Sequence, residues 1–427
     1  MKKVLIISYF APPCNLTGSN RVGSWEKYFP ENRIHPIVVT RNWTGEELTE
    51  AARLEHSGNQ IRIDKKENSE VHYLPYNSSV RDKAFIKGQS SKAYSLFSKV
   101  LTVLNLIMQN FSIRFIPYSN IYYHAREILL QDSSIKHLVI SGNLFEQFYF
   151  GYLLKKEFSY IEWLADYRDD WTTTDLISHR NILQTVILFL EKRSEKKWLA
   201  NASKFTSVSP YYVEKIANFI GKKGEVVYNG FNEELLSLEG EVERDSFFIT
   251  YNGSLYPTQK IEIFLEAYKR LIKRFQKDIN LHLYLPGIKH DITQAEKVAS
   301  SLKGLESYYT STDRIPRNEV IEIQLKSDVL LVVAHENIKG IPSSKIFEYI
   351  GLRKKILLCP SDHDVLDEIV GEIGVIADST EACFLLLEQQ VQEKIDTGLD
   401  FRIDVDKTLK YSCKKQVAKL TEIINTI

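Results

Sequence analysis

The chain has 427 residues, 44% of them hydrophobic and 26% charged, with 55 Lys plus Arg against 55 Asp plus Glu. That length exceeds what one hydrophobic core usually spans, so two domains are expected. The charge balance excludes a general basic field for nucleic acid. The four cysteines (Cys14, Cys359, Cys383, Cys413) have neither metal nor disulfide spacing and fit a reducing compartment.

The opening "MKKVLIISYFAPP" imitates a secretion signal, but its apolar run is short and no small-residue cleavage site follows. It reads instead as a buried first strand at residues 4–8. A Pro/Gly loop, a helix near 22–29 and a strand at 36–40 come next. Further strands are expected at 137–141, 161–165, 204–208 and 225–228. Strands separated by helix-sized segments argue for a parallel sheet covered on both faces.

The acidic stretch "NEELLSLEGEVERDS" at 232–246 interrupts this pattern. The alternation restarts with strands at 247–251, 281–285, 328–334 and 355–359 and a helix around 262–275. Two α/β domains are therefore expected, over 1–235 and 246–405. The segment 406–427 should close the chain as an amphipathic helix, with Val417, Leu420, Ile423 and Ile424 at helical spacing. No stretch reaches the ~20 apolar residues needed to span a bilayer.

Residues 83–126 contain no Asp or Glu, yet hold Lys83, Lys87, Lys92, Lys99, Arg114 and Arg126. Inside them lies "YSLFSKVLTVLNLIMQNF". Two readings stay open: a core helix pair with basic solvent faces, or an interfacial surface for anionic lipid or a lipid-linked phosphate. The second would place a cytoplasmic protein peripherally on the inner membrane.

In open α/β sheets, ligands bind beyond the carboxyl ends of the strands, so the segments after each strand carry the candidates. After the first strand, Gly18 permits close backbone approach and Ser19 can cap a helix starting near Arg21, whose free amides would suit an anion. The loop lacks the G-x-G-x-x-G fingerprint, which disfavours a dinucleotide. Asn143 follows the strand at 137–141. After 161–165 comes "DYRDDWTTT". Its acids Asp166 and Asp169 can hold sugar hydroxyls or a proton, Arg168 a phosphate, and Trp171 can pack on a sugar ring. A solvated charge cluster is the alternative.

In the second half, "NGSLYPTQK" supplies Gly253, Ser254 and Lys260. The stretch "GIPSSKIFEYIG" at 340–351 follows an unbroken apolar run. Ser343 or Ser344 would cap a helix there. Lys345 in its first turn opposes the helix dipole, at a cost of roughly 0.3 kcal/mol or more unless an anion lies nearby. Glu348 shares the face of Lys345, so a plain Lys–Glu pair is the alternative. The sequence carries no H-E-x-x-H, CxxC, Walker loop or nucleophile elbow.

Seven segments in succession resemble bacterial group 1 (family 4, retaining) glycosyltransferases, most closely the branch with a D-F-R-D-P-W motif. They are "KVLIISYFAPP…GSNRVGSWEKYFP", "SGNLFEQFYFGYLLKK", "WLADYRDDW", "TSVSPYYVEKI", "VVYNGFNEE", "ITYNGSLYPTQKIEIFLEAYKRL" and "GIPSSKIFEYIGLRKKILLCP". The resemblance implies a GT-B fold: two facing Rossmann-like domains, with the last helix crossing back to the first. It implies a metal-independent transferase without a cofactor, using a UDP or GDP sugar as donor. The product would be capsule, O-antigen or exopolysaccharide, built on a glycan or polyprenyl-linked acceptor.

Carried over by position, the family's ribose-binding glutamate falls on Glu348 and its phosphate-contacting helix start on Ser343, Ser344 and Lys345. Its first-domain glycine loop falls on Gly18 and its acceptor-side polar residues on 166–170, where Asp170 replaces the usual proline. Backbone recognition of the base is expected near Arg314. Three positions depart: Gly340 stands where a second glutamate is usual, Ser254 replaces an arginine, and Gln259 replaces a lysine, with Lys260 one step late. An inactive subunit of the same fold that binds a partner transferase stays open, as does, more remotely, a sugar-nucleotide epimerase.

Overall fold

Continuous apolar runs rich in Val and Ile, such as "VLII" at 4–7, suit strands buried on both faces, and the computed structural model builds two such sheets. It describes residues 1–47, 49–175, 181–398 and 402–427. The chain divides into two units, Met1–Tyr228 with Gln416–Ile427, and Asn229–Lys415. The division falls at Tyr228, ahead of the acidic stretch at 232–246.

The first unit contains β1 (Lys2–Ile7), β2 (Ile34–Arg41), β3 (Arg62–Lys65), β4 (Glu70–Leu74), β5 (His137–Gly142), β6 (Glu162–Tyr167), β7 (Lys204–Ser207) and β8 (Gly224–Val226). They form one sheet in the order β3-β4-β2-β1-β5-β6-β7-β8. All neighbours are parallel except the β3–β4 hairpin at the edge. Val4, Leu5, Ile6 and Ile7 are fully buried. The chain runs outward in opposite directions from β1 and β5, which makes their carboxyl ends a topological switch point.

The second unit contains β9 (Ser246–Thr250), β10 (Asn280–Leu285), β11 (Tyr309–Ser311), β12 (Val329–Val332), β13 (Lys355–Leu358) and β14 (Val375–Ile376), in the order β11-β10-β9-β12-β13-β14 and wholly parallel. Here the switch point lies between β9 and β12. Helix Glu262–Phe275 packs on this sheet through Phe264, Leu265, Tyr268, Leu271 and Phe275, all at most 1% exposed. Their helical spacing makes one apolar face, and each side chain contributes about 1.5–3 kcal/mol by burial.

The terminal helix Cys413–Asn425 starts in the second unit and continues into the first. There Leu420 and Ile424 are fully buried. Gln416 Oε1 accepts from the Tyr228 amide (2.8 Å), and Lys2 Nζ donates to Asn425 Oδ1 (2.7 Å). Four strands are absent from the sequence reading: β3, β4, β11 and β14. All are short, and β3 and β11 are polar edge strands without the apolar run that marks the interior ones.

Candidate functional site

In the second unit the loops at the switch point converge on Lys345. The helix Ser344–Gly351 follows β12, and its N-cap position, Ser343, makes no side-chain capping bond. Ser344 is exposed. The serine cap expected from sequence is therefore not formed. Half-buried Lys345 turns toward the loop after β9, where Nζ donates to Tyr251 Oη (3.0 Å) and the Ser254 carbonyl (3.3 Å) and stands 4.2 Å from the Tyr251 ring centroid. One turn on, buried Tyr349 accepts the Asn252 amide at its hydroxyl (3.1 Å). Lys345 and Tyr349 thus pin the β9 loop to one helix face.

Gly253 explains the approach. Its φ is +92°, and a Cβ there would lie 3.1 Å from Lys345 Cε. Gly287, with φ +85° in the loop after β10, backs it: a Cβ on Gly287 would lie 3.2 Å from Gly253 Cα. Only glycine gives both the conformation and the space. Burial pushes the Lys345 ammonium down to about 7, and no carboxylate among the described residues holds it up. His335, after β12, is lowered by burial and by Lys345.

Glu348 does not pair with Lys345, contrary to the plain i,i+3 alternative. Its Oε2 is 2.8 Å from Arg317 Nη2, and its Oε1 accepts from Gln324 Nε2 (3.0 Å). Lys260 forms an ion pair with Glu336. Gln259 is a buried tie: its Nε2 donates to the Val333 carbonyl (2.6 Å), and its Oε1 accepts from the Tyr256 amide (3.0 Å) and Tyr251 Oη (3.3 Å). Gly340, with φ +81°, donates its amide to Asp364 Oδ2 (2.5 Å). Arg314 is exposed beyond the carboxyl end of β11. Tyr251, Tyr349 and His335 were missed by the sequence reading, although Tyr349 lies four residues from Lys345 on the same helix face.

In the first unit the corresponding edge gathers Gly18, Arg168, Asp169 and Asn143. Helix Thr17–Tyr28 begins before Gly18 and also lacks a side-chain cap. Ser19, expected as the cap, donates instead to the carbonyls of Cys14 (2.6 Å) and Leu16 (2.8 Å). The Arg168 guanidinium lies directly on Gly18, where a Cβ would sit 1.8 Å from Nη1. Asp169 accepts from Asn143 Nδ2 (3.3 Å) and Arg168 Nη2 (3.4 Å), with its side chain 51% exposed.

Asp166 is placed differently from a substrate-facing acid. It is fully buried, and its two oxygens take Arg21 Nε (2.9 Å), Arg21 Nη2 (2.6 Å), Ser141 Oγ (2.9 Å) and Thr206 Oγ1 (2.7 Å). Arg21 continues to the carbonyls of Val227 (3.0 Å) and Tyr228 (3.1 Å). This network ties the first helix to β5, β6, β7 and the end of β8. Trp171 stacks on Phe145 (5.3 Å between centroids, 10°) and Trp198 (5.8 Å, 22°). Its indole belongs to an aromatic row and is not an open platform. Beneath it, burial raises Glu195 to about 7 while it accepts from Tyr167 Oη (2.8 Å) and Thr172 Oγ1 (2.5 Å). Among the described residues no group of three or more His, Cys, Asp or Glu is placed to hold a metal ion.

No protein-family model and no curated protein matches the chain. Solved structures do match along its whole length. Sucrose-phosphate synthase from Thermosynechococcus elongatus has a TM-score of 0.64 at 11% identity, covering 100% of this chain and 99% of that one. A glycosyltransferase from Rickettsia africae has a TM-score of 0.61 at 12% identity, covering 99% and 98%. Anabaena HepE, in complex with UDP and glucose, has a TM-score of 0.57 at 11% identity and covers 100% of both. The chain has the GT-B fold.

Proposed function

We propose that the chain is a retaining glycosyltransferase that moves a hexose or N-acetylhexosamine from a nucleotide diphosphate sugar, UDP- or GDP-linked. The acceptor is a growing glycan or a polyprenyl-linked saccharide in capsule, O-antigen or exopolysaccharide synthesis. The enzyme works in the cytoplasm, with peripheral membrane contact through 83–126, and without a metal or cofactor.

The observation that carries this reading is Lys345: a half-buried ammonium at a switch-point helix start, lying on a bare glycine and lacking an acid partner among the described residues. A diphosphate there supplies the missing negative charge and meets the uncapped helix amides. When the glycosidic bond breaks, the leaving phosphate oxygen gains charge, and Lys345 stabilises it more than the ground state. Glu348 takes the ribose hydroxyls once Arg317 swings away. On the first unit, Asn143 and Asp169 hold acceptor hydroxyls, and Arg168 balances the charge of Asp169. A neighbour of the same fold holding UDP and glucose is consistent with this donor class.

A thermal-shift panel of nucleoside diphosphates and their sugars tests the proposal. A ligand at a hundred times its Kd adds about 2.7 kcal/mol of stability. One base should stand out, and Lys345→Ala should abolish its shift. If no member of the panel shifts the protein, the transferase reading fails. The engagement of Gln259 as a tie and of Lys260 by Glu336 favours one second reading, a subunit that binds the donor without turnover. Release of free nucleoside diphosphate from the bound donor sugar separates the two.

A further inference from the structure

The first unit carries an apolar face that its own core does not use. In helix Lys92–Met108 only Ser98 is buried. Leu96 (66% exposed), Phe97, Val100, Leu104 and Met108 recur at helical spacing along its outer side, and Phe111 (62%) extends the stripe. This inverts the usual amphipathic arrangement, in which such a stripe faces the core. The helix touches Ile182–Leu199, whose first turns also expose Ile182 (87%), Leu183, Val186 and Phe189 (66%). Single exposed apolar residues are ordinary, but a stripe continued over two touching helices is a binding surface.

Charge identifies the occupant. Lys83, Lys87, Lys92, Lys99 and Arg114 are exposed and have no acid partner among the described residues. No Asp or Glu occurs at 83–126 or 181–190. A second copy of this face would bring cation against cation. An anionic bilayer satisfies both features, since the acyl region takes the stripe and the headgroups take the cations. Among the described residues no helix is long and apolar enough to cross a membrane, so the stripe would lie in the interface and not span it.

The platform is also joined to the loops that carry the acceptor candidates. Gln109, at the end of the apolar helix, donates from Nε2 to Glu146 Oε1 (3.1 Å), three residues beyond Asn143. Trp198, on the second helix, stacks on Trp171, two residues beyond Asp169.

We infer that helix Lys92–Met108 and the first half of helix Ile182–Leu199 form a docking platform for an anionic bilayer surface, which holds the Asn143 and Asp169 loops at the membrane. The second clause rests on the transferase reading and narrows its acceptor to a lipid-linked saccharide.

Flotation of the full chain with vesicles tests it, comparing phosphatidylcholine alone with phosphatidylcholine mixed with phosphatidylglycerol. The wild type should float with the mixed vesicles, less so as salt is raised, and weakly with the neutral ones. The triple variant Leu96→Ser/Phe97→Ser/Val100→Ser should lose binding by at least about tenfold, and so should Lys92→Glu/Lys99→Glu. All three substituted apolar residues are exposed or stripe positions, so an unchanged melting temperature and nucleotide shift would show that the fold is kept. A wild type that ignores both vesicles, or a triple variant that binds like it, overturns the proposal. A wild-type dimer broken by the triple variant also overturns it and makes the face an interface between copies. Vesicle binding without any nucleotide shift would sink the transferase reading and leave the platform standing. A nucleotide shift without vesicle binding would do the reverse.

Discussion

The Lys345 ammonium stands 3.0 Å from the Tyr251 hydroxyl and 4.2 Å from the centre of the same ring, held by burial at about 7 and not near its ordinary 10.5. The folded chain without ligand therefore loses the Lys345 proton as pH rises through 7, whereas a bound diphosphate would restore it. Affinity for the nucleotide diphosphate sugar, whose two phosphates each carry one fixed charge in this range, should be flat below pH 7. Above it, affinity should fall by up to about tenfold per pH unit, with proton uptake on binding. Calorimetry in buffers of different ionisation enthalpy reads both. The folded pKa is depressed, so between 7 and 10.5 the unfolded chain holds a proton that the folded chain has released. This residue then makes stability rise with pH in that window, and Lys345→Met should remove the rise. A binding curve flat from pH 6 to 9 would contradict the assignment.

Glu348 divides its oxygens between exposed Arg317 and buried Gln324. If Glu348 receives the donor ribose, Arg317 competes with it. Arg317→Ala should then tighten nucleotide binding by up to about fivefold, since an exposed pair is worth ~0.2–1 kcal/mol. Glu348→Ala should weaken binding tenfold or more. Titration of both variants decides: equal weakening in the two would make Glu348 merely the anchor of Arg317.

Most of the parallel sheet was legible because interior strands need unbroken apolar runs, as at 247–251 and 355–359. The edge strands β3 and β11 escaped because one open side removes that demand. The candidate site stood out in the sequence where a residue offends its own element. Lys345 in a first helical turn and the glycine at 253 both cost stability that the fold alone does not need. It was illegible where partners come from distant loops. Asp166 sits in the same charge cluster as Asp169, and only the arrival of Arg21, 145 residues away, separates the buried tie from the exposed acid. Trp171 likewise looked free until Phe145 and Trp198 were placed against it.

Gly18 separates stability from function. Alanine is favoured over glycine within a helix by about 1 kcal/mol. The Cβ of Gly18→Ala would clash with the end of a flexible side chain, the Arg168 guanidinium (Nη1 1.8 Å, Cζ 3.0 Å), and would otherwise meet Phe10 Cδ2 at 3.4 Å, an ordinary contact. The variant should keep or slightly raise its melting temperature while evicting the guanidinium, and transfer to acceptor should fall at least tenfold. Arg168→Ala should lose a similar factor, and the double variant little more than either, because both remove the same contact. Full additivity in that cycle would show that Gly18 and Arg168 act separately.

Asp166 supplies the opposite case. With both oxygens engaged by four donors and no exposed surface, its charge exists to balance Arg21, and that pair joins the first helix to three strand ends. Removing one partner of a buried pair leaves the other charged and desolvated, which typically costs about 3–5 kcal/mol. Asp166→Asn keeps the shape but not the charge, so urea unfolding should show a loss of that order. The Arg21→Met/Asp166→Leu double variant should lose less than the two single changes summed. Any fall in transfer rate should follow the unfolded fraction and recover on cooling. A melting temperature matching the wild type, together with a transfer rate reduced a hundredfold, would instead make Asp166 a group that meets the substrate.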